Sequence, residues 1–217
     1  MNRISDSRYM DLALALARGQ QGRTAPNPAV GCVITDKSGI VATGATADRG
    51  RPHAERVALD AAGDRAAGAT VYVTLEPCAF HGQTPPCADA LVAAKVGRVV
   101  IACLDDHPQV DGAGIERLRE AGITVETGLR ESEARDLYEG FFSRIHAGRP
   151  AVYLDDRAPR YDAELSIKPG EDIDTALERL GAEGVNRIFV RPGSEAAAKL
   201  LAAGQAKTAC HTGHTEY

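Results

Sequence analysis

The run Arg98–Cys103 (RVVIAC) constrains this chain most. Five apolar residues follow its arginine without a polar break. Such a strand must be covered on both faces, as in the middle of a sheet flanked by helices. Thr70–Leu75 (TVYVTL) is a second β-rich run, stopped by Pro77. Helical spacing follows at Cys87–Lys95, Gly114–Ala121 and Glu131–His146, with one more strand at Ile123–Thr127. Strands that alternate with helices predict an α/β fold. Upstream, Ala29–Thr35 and Ile40–Ala45 are strands joined by DKSG, which reads as a hairpin. His53–Ala62 spaces Ala54, Val57, Ala58 and Ala61 as a helix does. Residues 6–18 predict another helix, capped by Asp6 or Ser7 and ended by Gly19, with Tyr9, Leu12, Ala13 and Leu16 on one face. A hairpin feeding βαβ units makes the sheet mixed.

Gly148-Arg149-Pro150 marks a boundary, which divides the chain into residues 1–147 and a smaller α/β segment at 148–217. The second part reads as the strand AVYLDD, a charged loop to Asp172, a helix at Ile173–Gly181, a strand at Asn186–Arg191 and a helix at Ser194–Ala203. The ending ACHTGHTEY reads as frayed. The 217 residues carry 25 Lys and Arg against 30 Asp and Glu, a net charge of −5, which disfavours broad attraction to nucleic acid. With no Trp and 5% aromatic residues there is little to stack on bases. No apolar run nears the ~20 residues that span a bilayer. The N-terminal apolar stretch is broken by Asp11 and lacks the marks of a signal peptide, so the expected location is cytoplasmic. In that setting five cysteines point to metal binding or catalysis before disulfides.

The chemistry concentrates in His53-Ala-Glu55, Pro77-Cys78 and Cys87. One imidazole and two thiolates suit zinc with a fourth position open for water. Glu55 can reach that water without being a ligand, and a carboxylate there can take a proton and return it to a leaving group. Cys87 opens a helix, whose positive end favours its thiolate. Cys78 and Cys87 are also compatible with a structural pair. Cys32 and Cys103 sit in apolar strands and read as core, and Cys210, His211 and His214 have a loose metal-like spacing in the tail.

H-x-E followed by P-C and a later Cys is the pattern of the zinc nucleobase deaminases. Here eight residues, AFHGQTPP, separate the two cysteines instead of two. The strings TLEPCAFHGQTPPC, TAPNPAVGCVI, GATVYVTLEPC, RVVIAC and AGITVETG resemble the deaminase domain of the bifunctional pyrimidine deaminase/reductase family of riboflavin biosynthesis, over residues 7 to about 147. The resemblance implies a cytidine-deaminase-like three-layer α/β/α sandwich with a mixed central sheet. It implies a zinc-dependent aminohydrolase acting on a small aminopyrimidine, 2,5-diamino-6-(5-phosphoribosylamino)pyrimidin-4(3H)-one, to give 5-amino-6-(5-phosphoribosylamino)uracil and ammonia. His53, Cys78 and Cys87 would hold one zinc per chain and Glu55 would shuttle protons. Asn27, His81, Thr84 and Asp105 would contact the substrate. Asn27 between two prolines is also a plain turn former, and His81 a plain exposed loop residue. The family resemblance further implies a homodimer or homotetramer.

Three positions depart from the family pattern. Gln83 stands where a cation is usual, which weakens a phosphate contact. Asp106 adds a carboxylate near the substrate. The strand AVYLDD and the loop after it lack the lysine and the Ser-Leu-Asp-Gly stretch with which the family's second domain opens. DIDTALERLGAEGVNRIFVRPGSEAAAKLLAAG resembles a late part of that reductase, so residues 148–217 read as a truncated remnant without NADPH chemistry. Two other readings stay open: a deaminase of a related heterocycle, and a non-catalytic partner subunit that keeps its zinc.

Overall fold

A computed structural model describes residues 3–82, 85–106 and 112–208. Its first helix, α1 (Arg3–Gly19), begins before the expected cap. Asp6 therefore lies inside the helix and caps nothing. Its carboxylate accepts from the Tyr72 hydroxyl (2.5 Å) and from Arg98 (3.0 Å). These bonds outweigh the cost of burial and hold Asp6 below its ordinary pKa. The face of α1 that disappears is Met10, Ala13, Leu14 and Ala17, with Tyr9, Leu12 and Leu16 packed at its edges. The buried stripe is thus rotated from the expected one, because α1 is gripped by both the sheet and a later helix.

The hairpin forms from β1 (Gly31–Asp36) and β2 (Gly39–Ala45), and α2 (Ala54–Ala62) follows. Then come β3 (Thr70–Leu75), α3 (Cys87–Ala93), β4 (Arg98–Cys103), α4 (Ala113–Glu120), β5 (Thr124–Thr127) and α5 (Glu131–Ala147). The strands are ordered β2-β1-β3-β4-β5. β1 is antiparallel to both neighbours, and β3, β4 and β5 are parallel. The sheet is mixed, as expected, and the parallel strands β3 and β4 are almost wholly buried.

Two glycines show how the layers stack. A Cβ on Gly31 would meet the Ala13 carbonyl of α1 at 1.9 Å, and one on Gly44 would meet the Ala54 carbonyl of α2 at 2.2 Å. Gly31 pairs with Ala45, so Gly44 points to the other face. α1 and α2 therefore cover opposite faces, which makes three layers. Gly31→Ala is expected to lower unfolding free energy by about 2–3 kcal/mol, because backbone on both sides cannot yield. Urea midpoints check this against Gly19→Ala, whose new methyl meets nothing within 4 Å.

The remaining chain builds a second sheet from β6 (Ala151–Leu154), β7 (Ala163–Glu164), β8 (Arg187–Val190) and β9 (Lys207–Thr208), ordered β7-β8-β6-β9 and wholly parallel. β7 and β9 are two residues long, too short to leave a period in the sequence. α6 (Ile173–Ala182) is capped by Asp172, which accepts from Thr175 N (2.8 Å), and α7 (Glu195–Ala202) by Ser194, which accepts from Ala197 N (3.1 Å). Val152, Leu154, Leu177, Leu180, Ile188, Val190, Ala197 and Leu200 form its own core. Among the described residues no helix is long and apolar enough to cross a membrane. Cys32 and Cys103 are buried in the first core, as expected. Cys210, His211 and His214 lie outside the described residues.

Candidate active site

The site lies at one end of the first sheet, where its strands change direction. β3 and β4 finish there, and the antiparallel β1 starts there, with Gly31 N donating to Thr74 Oγ1 (3.0 Å). Segments that precede β1 and follow β2, β3 and β4 thus converge, the usual place for a ligand in an open α/β sheet.

His53 is the extended N-cap residue of α2 (φ −69°, ψ 158°). Cys78 follows β3 across Glu76-Pro77, and Cys87 is the first residue of α3. His53 Nδ1 lies 3.3 Å from Cys87 Sγ and 3.8 Å from Cys78 Sγ. All three ligand atoms fall within 4.8 Å of one another. Zn–S and Zn–N bonds of about 2.3 and 2.0 Å in a tetrahedron put ligand atoms about 3.5–3.8 Å apart, so the donor set and its spacing fit zinc. Hydrogen bonds from Cys87 and His53 pull the Cys78 thiol down to about 4, and the same pairing pushes the Cys87 thiol and the His53 imidazolium up. The Cys87 backbone N–H donates to Cys78 Sγ (3.3 Å).

Glu55 sits in the first turn of α2 and is 4% exposed. Burial is the main force raising its carboxyl to about 7, with the Cys78 charge adding to it. A carboxyl poised there exchanges protons readily near neutrality. Glu55, His53 and Cys78 line a cavity of about 300 Å³, walled also by Asn27, Thr46, Arg51, Glu76, Phe80, Asp105, Phe141 and Arg144.

Of the residues expected to contact substrate, Asn27 and Asp105 line this cavity. His81 is exposed and is not itself among the lining residues. Its neighbours Phe80 and Gly82 both line the cavity. Thr84 and Gln83 lie outside the described residues. Asp106 also stays out of the lining, and its carboxylate faces Arg135 (3.4 Å) and His146 (3.5 Å). Sequence reasoning missed Glu76, Arg51, Phe141 and Arg144. Glu76 is buried and accepts from Gly112 N (3.3 Å) and Gly114 N (3.1 Å), so it ties the start of α4 beneath the cavity. Its place two residues before Cys78 was the signal that could have found it.

Comparison with known proteins agrees with this geometry. Residues 3–103 match the model of the cytidine and deoxycytidylate deaminase zinc-binding region. The riboflavin biosynthesis protein RibD of Escherichia coli is 52% identical over 151 residues, 70% of this chain and 41% of that protein. RibD of Aquifex aeolicus is 50% identical over 154 residues, 71% of this chain and 43% of that protein. The chain thus spans about two fifths of the length of these relatives. A diaminohydroxyphosphoribosylamino-pyrimidine deaminase of Buchnera aphidicola is 45% identical over 147 residues, 68% of this chain and 100% of that protein. Acinetobacter baumannii RibD superposes with a TM-score of 0.80 at 25% identity, covering 100% of this chain and 92% of that one. Because a relative 45% identical is matched over its whole length, this chain belongs to the riboflavin-biosynthesis pyrimidine deaminases of the cytidine and deoxycytidylate deaminase family.

Proposed function

We propose that this chain hydrolyses the exocyclic amino group of the phosphoribosylated diaminopyrimidinone of riboflavin biosynthesis and releases ammonia. One observation carries the reading: a buried Glu55 stands beside a His-Cys-Cys donor set, at the wall of a cavity large enough for a pyrimidine. Held by His53, Cys78 and Cys87, one zinc per chain supplies Lewis-acid activation of water at neutral pH. Glu55 then takes the water's proton and hands it to the departing nitrogen, general base first and general acid second. Asn27 spends one amide N–H on Gly50 O (2.8 Å), which leaves its oxygen and its second N–H for the edge of the base. Arg51 and Arg144 bring positive charge to the cavity wall of a chain whose net charge is −5, which suits a phosphate ester. Leu75, Phe141 and Ile145 give the ring an apolar bed and limit bulk water.

The same reading assigns no NADPH-dependent step to residues 148–217, whose first strand lacks the family's lysine and Ser-Leu-Asp-Gly stretch. It places the protein in the cytoplasm as a homodimer or homotetramer, the assembly resting on family resemblance alone. Ammonia release tests the function, with the phosphorylated pyrimidine and its dephosphorylated form as substrates. The expected result is turnover of the phosphorylated form with a KM at least about tenfold lower. No release from either by zinc-loaded protein overturns the proposal. Preference for the dephosphorylated form would favour a deaminase of a related heterocycle, in keeping with Gln83.

A further inference from the structure

Residues 148–217 have no place in the mechanism above, yet one of their side chains is joined to the cavity wall. Asn186 is 6% exposed and lies at the entry to β8. Its backbone is pinned: Asn186 N donates to Asp162 Oδ2 (2.9 Å), and Asn186 O accepts from Ala151 N (2.9 Å). From that anchor its amide reaches into the first unit. Nδ2 donates to Pro26 O (3.2 Å) and Asn27 O (3.5 Å), while Oδ1 accepts from Arg144 Nε (2.7 Å). Arg144 Nη2 donates to the same Pro26 carbonyl (2.9 Å). The turn before β8 presses on the same spot, where a Cβ on Gly184 would meet Pro26 Cβ at 2.8 Å.

What is held there is the turn that carries Asn27. Inside the first unit Asn27 has Thr24 Oγ1 on its carbonyl (3.0 Å) and its own Nδ2 on Gly50 O (2.8 Å), next to Arg51. A chain of hydrogen bonds therefore runs from β8 through Asn186 to Pro26, Asn27 and Gly50, and it ends at the cavity wall. An apolar contact would join the two units without choosing one arrangement. A buried, satisfied polar network selects a single one.

We propose that Asn186 is a positioning residue of the active site, through which the second unit braces the Pro26–Pro28 turn and sets where Asn27 stands in the cavity. The proposal rests on the reading that Asn27 contacts the substrate. Arg144 works on both sides: the residue lines the cavity, and its guanidinium closes the Asn186 link. The second unit is then part of the binding site's construction and contributes to recognition of the pyrimidine without touching it.

The test uses the full chain loaded with zinc. Asn186→Ala removes the whole link. Asn186→Asp keeps an acceptor for Arg144 but sets an oxygen against the Pro26 carbonyl. Both are expected to raise KM about fivefold, with kcat within about twofold and the zinc content unchanged. In a cycle with Asn27→Ala, the loss from Asn186→Ala should shrink markedly, leaving only the part that acts through Arg144. A merely structural asparagine would leave the two losses multiplying, and that result, or an unchanged KM, overturns the proposal. Gly184→Ala displaces the same turn from the same side, so it should also raise KM if Asn186→Ala fails to fold. Hydrogen exchange reads the brace without any substrate. Amides at 24–31 and 49–51 should exchange faster in Asn186→Ala while those of β3 and β4 do not. Unchanged exchange at those amides sinks the brace, even if the wild type deaminates. Faster exchange with no ammonia from the wild type would sink the deaminase reading and leave the brace standing.

Discussion

Glu55→Gln is expected to cut kcat for ammonia release by about 10²–10⁴-fold, the usual contribution of a positioned acid–base group. The amide has nearly the shape of the carboxyl but cannot accept and return a proton. KM should change little, since pyrimidine contacts are assigned elsewhere in the cavity. Stability separates this loss from unfolding. The native carboxyl is 4% exposed, and burial raises it to about 7, so its charged form is costly to hold. A neutral amide removes that cost, and the variant's urea midpoint should equal or exceed that of the wild type. Zinc content should stay at one per chain. Unchanged turnover in this variant would remove Glu55 from the mechanism, and with it the central step of the proposed reaction.

Removing the metal, by chelation or by Cys87→Ala, should abolish turnover, with a smaller effect on the fold. The two effects part because zinc and the hydrophobic core are separate sources of order. A ligand held at 100 to 1,000 times its dissociation constant stabilises the folded state by about 3–4 kcal/mol, and that amount should be lost. The sheet itself rests on side chains such as Val71, Val73, Val99 and Ile101, all fully buried and none of them a metal ligand. Far-UV circular dichroism should therefore persist at room temperature, while the urea midpoint falls and ammonia release drops to background. Added zinc should restore the chelated wild type but not Cys87→Ala. Activity that survives in metal-free protein would contradict the mechanism. A collapse of the fold on chelation would mark the zinc as structural.

The strands Thr70–Leu75 and Arg98–Cys103 were legible to the residue, because the first is a β-rich run stopped by Pro77 and the second is apolar throughout after its arginine. The meeting of His53, Cys78 and Cys87, with Glu55 on the same cavity wall, was equally legible, since ligand chemistry asks for those residue types at positions a helix start and a loop can supply. α1 was found but turned wrongly. Asp6 looks like a cap in isolation, and only the neighbouring Tyr72 and Arg98 make it a buried acceptor. His81 was assigned to the pocket rim by motif, and its neighbours Phe80 and Gly82 line the cavity while its own side chain is exposed, since a side chain's direction in a loop depends on what the loop packs against.

Local period and donor chemistry act over a few residues, so the amino-acid sequence alone determined the layered α/β fold and the three-donor centre with its acid. Contacts across long stretches of chain leave no such trace. Glu76 meets Gly112 and Gly114, Arg144 joins Asn186, and Asn186 reaches Pro26 across 160 positions. Each of these polar groups is compatible with water when read alone. Only packing, which removes the water and leaves one partner within reach, decided which carbonyl each would meet and so gave the second unit its hold on the cavity.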